Sequence, residues 1–306
     1  MSAAGAAKSN TVRVGRRDVS VSNPQKVLYP EAEFTKGEVV RYYLEIAPWL
    51  LPHLKDRPLT LKRYPNGVDK PFFYEKMCPS HRPDWVQTAR MKTANRLIDF
   101  CVVNDAPTLA WVANLASLEL HTLLSRAPDL ERPTFMVFDH DPGPGADLLD
   151  CIRVARRFRD ILQRLGLESL AKTSGGKGLH LYVPLNTRTV TFDDTKLFSR
   201  AVAQLLEKED PAHVTTNMRK DLRAGRVFVD WSQNDRHKTT VCAYSLRARS
   251  RPMVSTPLEW GELDRAVRKG DASGLAFEPA DVIRRVRKKA DLFEPVLRMK
   301  QKLPRG

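Results

Sequence analysis

"TFMVFDHDPGPG", residues 134–145, decides how the chain is read. Phe135, Met136, Val137 and Phe138 form an apolar run suited to a core, and Asp139 and Asp141 end it. On a strand, residues i and i+2 project to one face, about 7 Å apart at their Cα atoms. The two carboxylates therefore converge on one point. Ionised carboxylates held there repel each other and are costly to bury. A divalent cation with hard oxygen ligands resolves both problems. The Pro-Gly-Pro-Gly that follows stops the strand and leaves the acids beside a loop. Taken alone, D-x-D reads equally well as a turn that caps the helix expected from residue 146.

A third acid has a similar setting. Asp230 follows Val227, Phe228 and Val229 at the end of another apolar strand. Three strand-end acids suit phosphoryl transfer, in which paired metals about 3.5–4 Å apart clamp the attacking and leaving oxygens. The loop "KTSGGKGLHLYVPL" (172–185) adds an anion site. Gly175, Gly176 and Gly178 let backbone amides approach an anion, and Ser174 and Lys177 add side-chain donors. It is not a Walker A loop, because a strand carrying His180 follows the glycines where a helix would be required. Lys62 and Arg63 lie in an early strand, and Arg247, Arg249 and Arg251 alternate along "LRARSRP", which predicts one basic face.

The bulk properties agree with a polyanionic partner. Among 306 residues, Lys and Arg number 51 and Asp and Glu 36, a formal charge of +15. That surplus favours nucleic acid over an acidic membrane surface. Residues 1–10 are small and polar and predict a disordered start, with a single domain over 11–306. No secretory h-region or 18-residue apolar run occurs, so the expectation is a cytoplasmic protein without a membrane span. The four cysteines (78, 101, 151 and 242) include no C-x-x-C and read as free thiols in a reducing compartment. Cys78 and His81 have metal-like spacing, but no second pair completes a zinc site.

The periodicity predicts mixed α and β elements without strict alternation, an α+β (mixed α/β) fold. Thr35 and Glu38 match a capping box that opens a helix, with Pro48 and Pro52 fraying its end. "TLAWVANLASLELHTLLS" (108–125) has apolar residues at helical spacing and reads as one buried helix. The clearest helix runs from about 146 to 165, and another spans 194–208 and buries Leu197, Phe198, Ala201 and Leu205. Strands are expected at 58–65, 97–103 and 179–185, with 226–232 and 239–247 as neighbours.

With D-H-D, S-G-G-K-G-L-H and V-D-W-S-Q-N in this order, the sequence resembles the archaeo-eukaryotic primase superfamily. More closely, it is similar to the polymerase domain of bacterial ligase D, the non-homologous end-joining polymerase. The resemblance runs from "NPQKVLYP" through "YSLRARSRP", and no ligase or nuclease segment accompanies it. It implies a primase-like fold with a central sheet core and flanking helices, either stand-alone or excised from a longer chain. It implies two divalent cations, manganese or magnesium, on Asp139, Asp141 and Asp230. It implies a ribo- or deoxynucleoside triphosphate held by Ser174, Lys177, His180 and the 175–178 glycines, with Lys62, His121, Gln233, Arg247 and Arg249 close by. Asn23, Lys26 and Lys36 resemble a pocket for a downstream 5′-phosphate, and Phe72 and Phe73 an aromatic pair that stacks on template. Arg63 matches a position near the template, and Arg219, Lys220 and Arg223 lie in a loop resembling one that handles the primer terminus or a second DNA end. The implied partners are gapped, 5′-phosphorylated or 3′-overhanging DNA, an ATP-dependent ligase and Ku, in the bacterial nucleoid. De novo priming is a variation on this reading. A metal-dependent nuclease would need no triphosphate loop, and an end-binding module would need no strand-end acids.

Overall fold

The structure, a computed structural model, describes residues 9–93 and 96–304. Two sheets, each of six strands, dominate it. One sheet has the order Val214–Thr215, Val227–Asp230, Phe135–Pro142, Leu179–Pro184, Leu170–Thr173, Pro257–Leu258. Its pairings are antiparallel except the first. The other has the order Thr239–Val241, Ser117–Leu123, Pro58–Arg63, Leu97–Val102, Thr88–Lys92, and Phe73–Glu75 also pairs with Pro58–Arg63. The helices are α1 (Lys36–Leu54), α2 (Ala106–Asn114), α3 (Leu148–Arg164), α4 (Phe192–Glu209), α5 (Trp260–Lys269), α6 (Pro279–Lys289) and α7 (Pro295–Arg298).

The apolar alternation of the Phe135–Pro142 strand shows how the layers meet. Met136 and Phe138 join a core with α3, α4 and α5. Phe135 and Val137 face the other way, into a core shared with α1, α2 and the second sheet. Asp139 and Asp141 continue this second face by strand periodicity. They therefore lie between the two sheets, where the apolar core gives way to a cleft.

The expected mixed α/β architecture is present, with local corrections. Residues 1–8 lie outside the described residues, whereas Ser9 and Asn10 begin a strand that runs to Val14. The Thr35–Glu38 capping box forms, but α1 continues through Pro48 and Pro52 to Leu54. Ile46, Leu50 and Leu54 are buried along it, so packing outweighs the lost helix hydrogen bonds. Residues 108–125 are not one helix. α2 ends at Asn114, Ala116 turns the chain with φ +56°, and Ser117–Leu123 is an interior strand of the second sheet. A strand buried on both faces loses its alternation and reads like a helix.

On α4, Leu197 and Leu205 are exposed, and Thr195, Ser199, Val202 and Leu206 face the core. Thr195 and Ser199 can be buried because their hydroxyls donate to the carbonyls of Phe192 and Trp231. The 226–232 and 239–247 segments are not neighbours, since they enter different sheets. Cys78 and Cys101 form a disulfide, contrary to the reading of four free thiols; Cys151 and Cys242 are free and buried. Among the described residues no helix is long and apolar enough to cross a membrane.

Candidate active site

The cleft between the sheets has a volume of about 520 Å³. Asp139, Asp141, Ser174, Lys177, His180, His121, Gln233, Arg223, Arg247 and Arg249 line it, together with Tyr74 and Thr239–Val241. Residues from eight separate segments thus meet in one place.

On the acidic side, Asp139 pairs with Asp230 across antiparallel strands and with His180 on the other flank. Burial, then the Asp230 charge, raises the Asp139 carboxyl to about 6. Burial, then Asp139 and Asp230, raises Asp141 to about 7, although Asp141 sits nearer the cleft mouth. Asp139 Oδ1 is buried without a hydrogen bond, and His180 Nε2 lies 3.1 Å from it. An unsatisfied buried carboxylate oxygen beside a second acid fits a hard divalent cation. The fit is incomplete at Asp230. Its oxygens accept from Ser232 N at 2.9 Å and Gln233 Nε2 at 3.0 Å, and it is absent from the cleft wall. Among the described residues no three acid, histidine or cysteine side chains already form a closed metal cage.

On the basic side, Arg247 Nη1 donates to Ser174 O at 2.5 Å, which ties the arginine strand to the glycine loop. The glycines allow this approach. A Cβ on Gly175, whose φ is +70°, would lie 2.6 Å from Arg247 Cγ, and one on Gly176 would lie 2.2 Å from Arg249 Nη2. A Cβ on Gly178 would lie 2.2 Å from His140 O. Two of the loop amides are turned inward, towards the Ser174 hydroxyl. Gly176 N and Gly178 N both donate to Ser174 Oγ at 3.1 Å, and Lys177, Arg223, Arg247 and Arg249 are the lysine and arginine side chains that line the cleft. Arg251 leaves this face and pairs with Glu278, because the strand ends at Ala248.

Two buried charges that the sequence reading missed hold the walls in place. Lys172, fully buried, donates to Ser255 Oγ at 2.6 Å and lies 3.0 Å from His180 Nδ1. Burial, then Arg247, lowers its ammonium to about 7. Glu119, on the strand misread as helix, contacts His121, Lys62 and Arg247. Lys62 stands behind the cleft wall, 3.4 Å from Glu119 Oε1 and 4.3 Å from the Phe72 ring centroid. Lys172 lies inside the quoted glycine-loop motif, so the signal for it was present. Glu119 had none once its strand was taken for a helix.

The expected end-binding residues form a second basic patch beside the start of α1. Lys36 N donates to Lys26 O at 2.8 Å, and Lys26 N to Asn23 O at 3.0 Å. Lys26 Nζ reaches Asn66 Oδ1 at 2.9 Å and Lys36 Nζ reaches Ser22 Oγ at 2.9 Å. Burial, then Lys26 and Arg63, lowers the Lys36 ammonium to about 8. Arg63 pairs with Glu75 and lies over the Phe73 ring. Phe72 and Phe73 are 47% and 43% exposed, which removes them from the core. Arg219 pairs with Asp221, Lys220 is exposed, and Arg223 stacks 3.5 Å from the Phe228 ring centroid at the cleft edge.

Fold and cleft together define a primase-polymerase, a DNA-directed nucleotidyltransferase class. A solved structure described as the polymerase domain from Mycobacterium tuberculosis ligase D in complex with DNA superposes with a TM-score of 0.86 at 39% identity. That match covers 92% of this chain and 99% of the other. The chain belongs to the family described as LigD, primase-polymerase domain, whose match spans residues 35–293. Relatives include the multifunctional non-homologous end joining protein LigD of Mycolicibacterium smegmatis, 41% identical over 91% of this chain. The bifunctional non-homologous end joining protein LigD of Bacillus subtilis is 30% identical over 91%. The chain spans 36% of the length of the first relative and 44% of the second.

Proposed function

We propose that the chain performs template-directed nucleotidyl transfer at DNA double-strand breaks, filling gaps and extending ends in bacterial non-homologous end joining. One observation carries the reading. Two carboxylates, Asp139 and Asp141, and four cationic side chains, Lys177, Arg223, Arg247 and Arg249, share one cleft, in a chain of the primase-polymerase family. Asp139 and Asp141 would hold two divalent cations, manganese or magnesium, with Asp230 joining when Gln233 releases it. When bound, the cations supply an acidified primer 3′-hydroxyl and charge neutralisation on the triphosphate and leaving pyrophosphate.

The chain's own groups do the rest. Lys177, Arg247 and Arg249 bind the triphosphate oxygens of an NTP or dNTP, and His180 and Ser174 fix the edge of that site. His121 faces the sugar, and ribonucleotides are preferred. Lys26, Lys36 and Asn23 grip a downstream 5′-phosphate, a dianion suited to paired ammonium groups. Phe72 and Phe73 stack on template bases without regard to sequence. Arg219, Lys220 and Arg223 meet the primer terminus or a second end. An ATP-dependent ligase and Ku are the expected partners, and the nucleoid the expected location.

Extension of a 5′-phosphorylated gapped duplex, with manganese and labelled nucleotides, tests this. Template-dependent incorporation is expected. Cleavage of the DNA without incorporation would replace the reading with a nuclease.

A further inference from the structure

Glu119 carries a full charge in an almost closed environment; its side chain is 3% exposed. Burial opposes ionisation there, yet His121, Arg247 and Lys62 hold the carboxyl well below its usual range. Its two oxygens have separate partners. Oε1 accepts from Ala248 N at 3.1 Å and faces Lys62 Nζ at 3.4 Å. Oε2 lies 2.9 Å from His121 Nε2 and 3.3 Å from Arg247 Nε.

A carboxylate can only accept hydrogen bonds. The 2.9 Å contact therefore needs the proton on His121 Nε2. Burial lowers the His121 pKa, so the ring is neutral near pH 7 and its other nitrogen, Nδ1, keeps a lone pair. His121 lines the same cleft as the acids and shares Glu119 Oε2 with Arg247, one of the triphosphate donors. We propose that Glu119 is a positioning residue: it fixes His121 with the proton on Nε2, so that Nδ1 is offered to the cleft as an acceptor for a sugar hydroxyl of the bound nucleotide. A ribose 2′-hydroxyl can donate there, and a deoxyribose has no such group. Selectivity for ribonucleotides then depends on a residue that never touches the sugar. The proposal rests on the nucleotidyl-transfer reading.

Glu119→Gln tests it with almost no change of shape. The amide oxygen would stay with Ala248 N and Lys62, and the NH₂ would face His121 Nε2 and one donor, Arg247 Nε, whereas the flipped amide would set its NH₂ against two donors. The sense of that hydrogen bond reverses, and the ring proton moves to Nδ1. Long-range ¹H–¹⁵N spectra of histidine-labelled protein, assigned with His121→Gln, read the proton directly in the metal-free state. Nε2–H is expected in the wild type and Nδ1–H in Glu119→Gln. The ratio of kcat/KM for a ribonucleotide over its deoxy counterpart should fall about tenfold in Glu119→Gln, the value of one hydrogen bond. His121→Ala should lower it equally, and the double variant no further. A wild-type proton on Nδ1 overturns the proposal. So does a wild-type ratio near one, equal losses on both sugars, or additive losses in the double variant. If the folded wild type incorporates neither nucleotide, nucleotidyl transfer itself is wrong, and the spectra still decide the Glu119–His121 arrangement.

Discussion

Asp139 and Asp230, far apart in the sequence, are register partners on adjacent antiparallel strands. Asp139 leaves one buried oxygen without a hydrogen bond, whereas Asp230 is held by Ser232 and Gln233. The metal-free protein therefore keeps one acid open and the other tied back. Cation binding should draw Asp230 away from Gln233. Gln233→Ala is expected to bind manganese several-fold more tightly, measured by calorimetry; weaker binding would show that Gln233 supports the ion instead.

The raised Asp139 pKa, about 6 against the usual 3.8, has a stability consequence. The folded state disfavours the charged form, so the penalty is absent below about pH 4 and complete above about pH 6. Without metal, Asp139→Asn should gain on the order of 1–3 kcal/mol at pH 8 and nothing at pH 3.5. Chemical denaturation across that range checks it. Manganese should raise the melting temperature of the wild type and not of Asp139→Asn.

Lys36, lowered to about 8, must be protonated to grip a phosphate. Affinity for a 5′-phosphorylated gap should fall as pH rises from 7 to 9, more steeply than for a 5′-hydroxyl gap. Lys36→Ala should lose about tenfold on the phosphorylated DNA alone. Equal affinity for both ends would rule the role out.

Gly178 packs its Cα against His140, and an added Cβ would meet the carbonyl at 2.2 Å. Gly178→Ala should cost about 1–3 kcal/mol of stability and raise the nucleotide KM. Denaturation and steady-state kinetics measure the two effects.

Phe73 is exposed over Arg63. Phe73→Ala should weaken gapped-DNA binding by about 1–3 kcal/mol, equally for all template sequences. A loss confined to some sequences would mean base readout instead of stacking.

Much of this site was legible in short motifs because strand periodicity and glycine geometry act locally. D-H-D fixed both the strand and the shared face of Asp139 and Asp141, and S-G-G-K-G fixed the turn. Two kinds of information were not local. Ser117–Leu123 is buried on both faces, so its pattern matches a helix as well as a strand, and Glu119 was lost with it. The phase of α4 depended on Thr195 and Ser199 finding carbonyl partners, which no hydropathy pattern records. Arg251 left the basic face because the strand ended at Ala248, and its partner Glu278 caps the start of α6.

The most direct measurement is manganese-dependent extension across a 5′-phosphorylated gap, with wild type beside a folded Asp139→Ala, Asp141→Ala double variant. The wild type should incorporate the templated nucleotide and the double variant should incorporate none. Undiminished extension by the double variant, or none by the wild type, contradicts the assignment of the cleft.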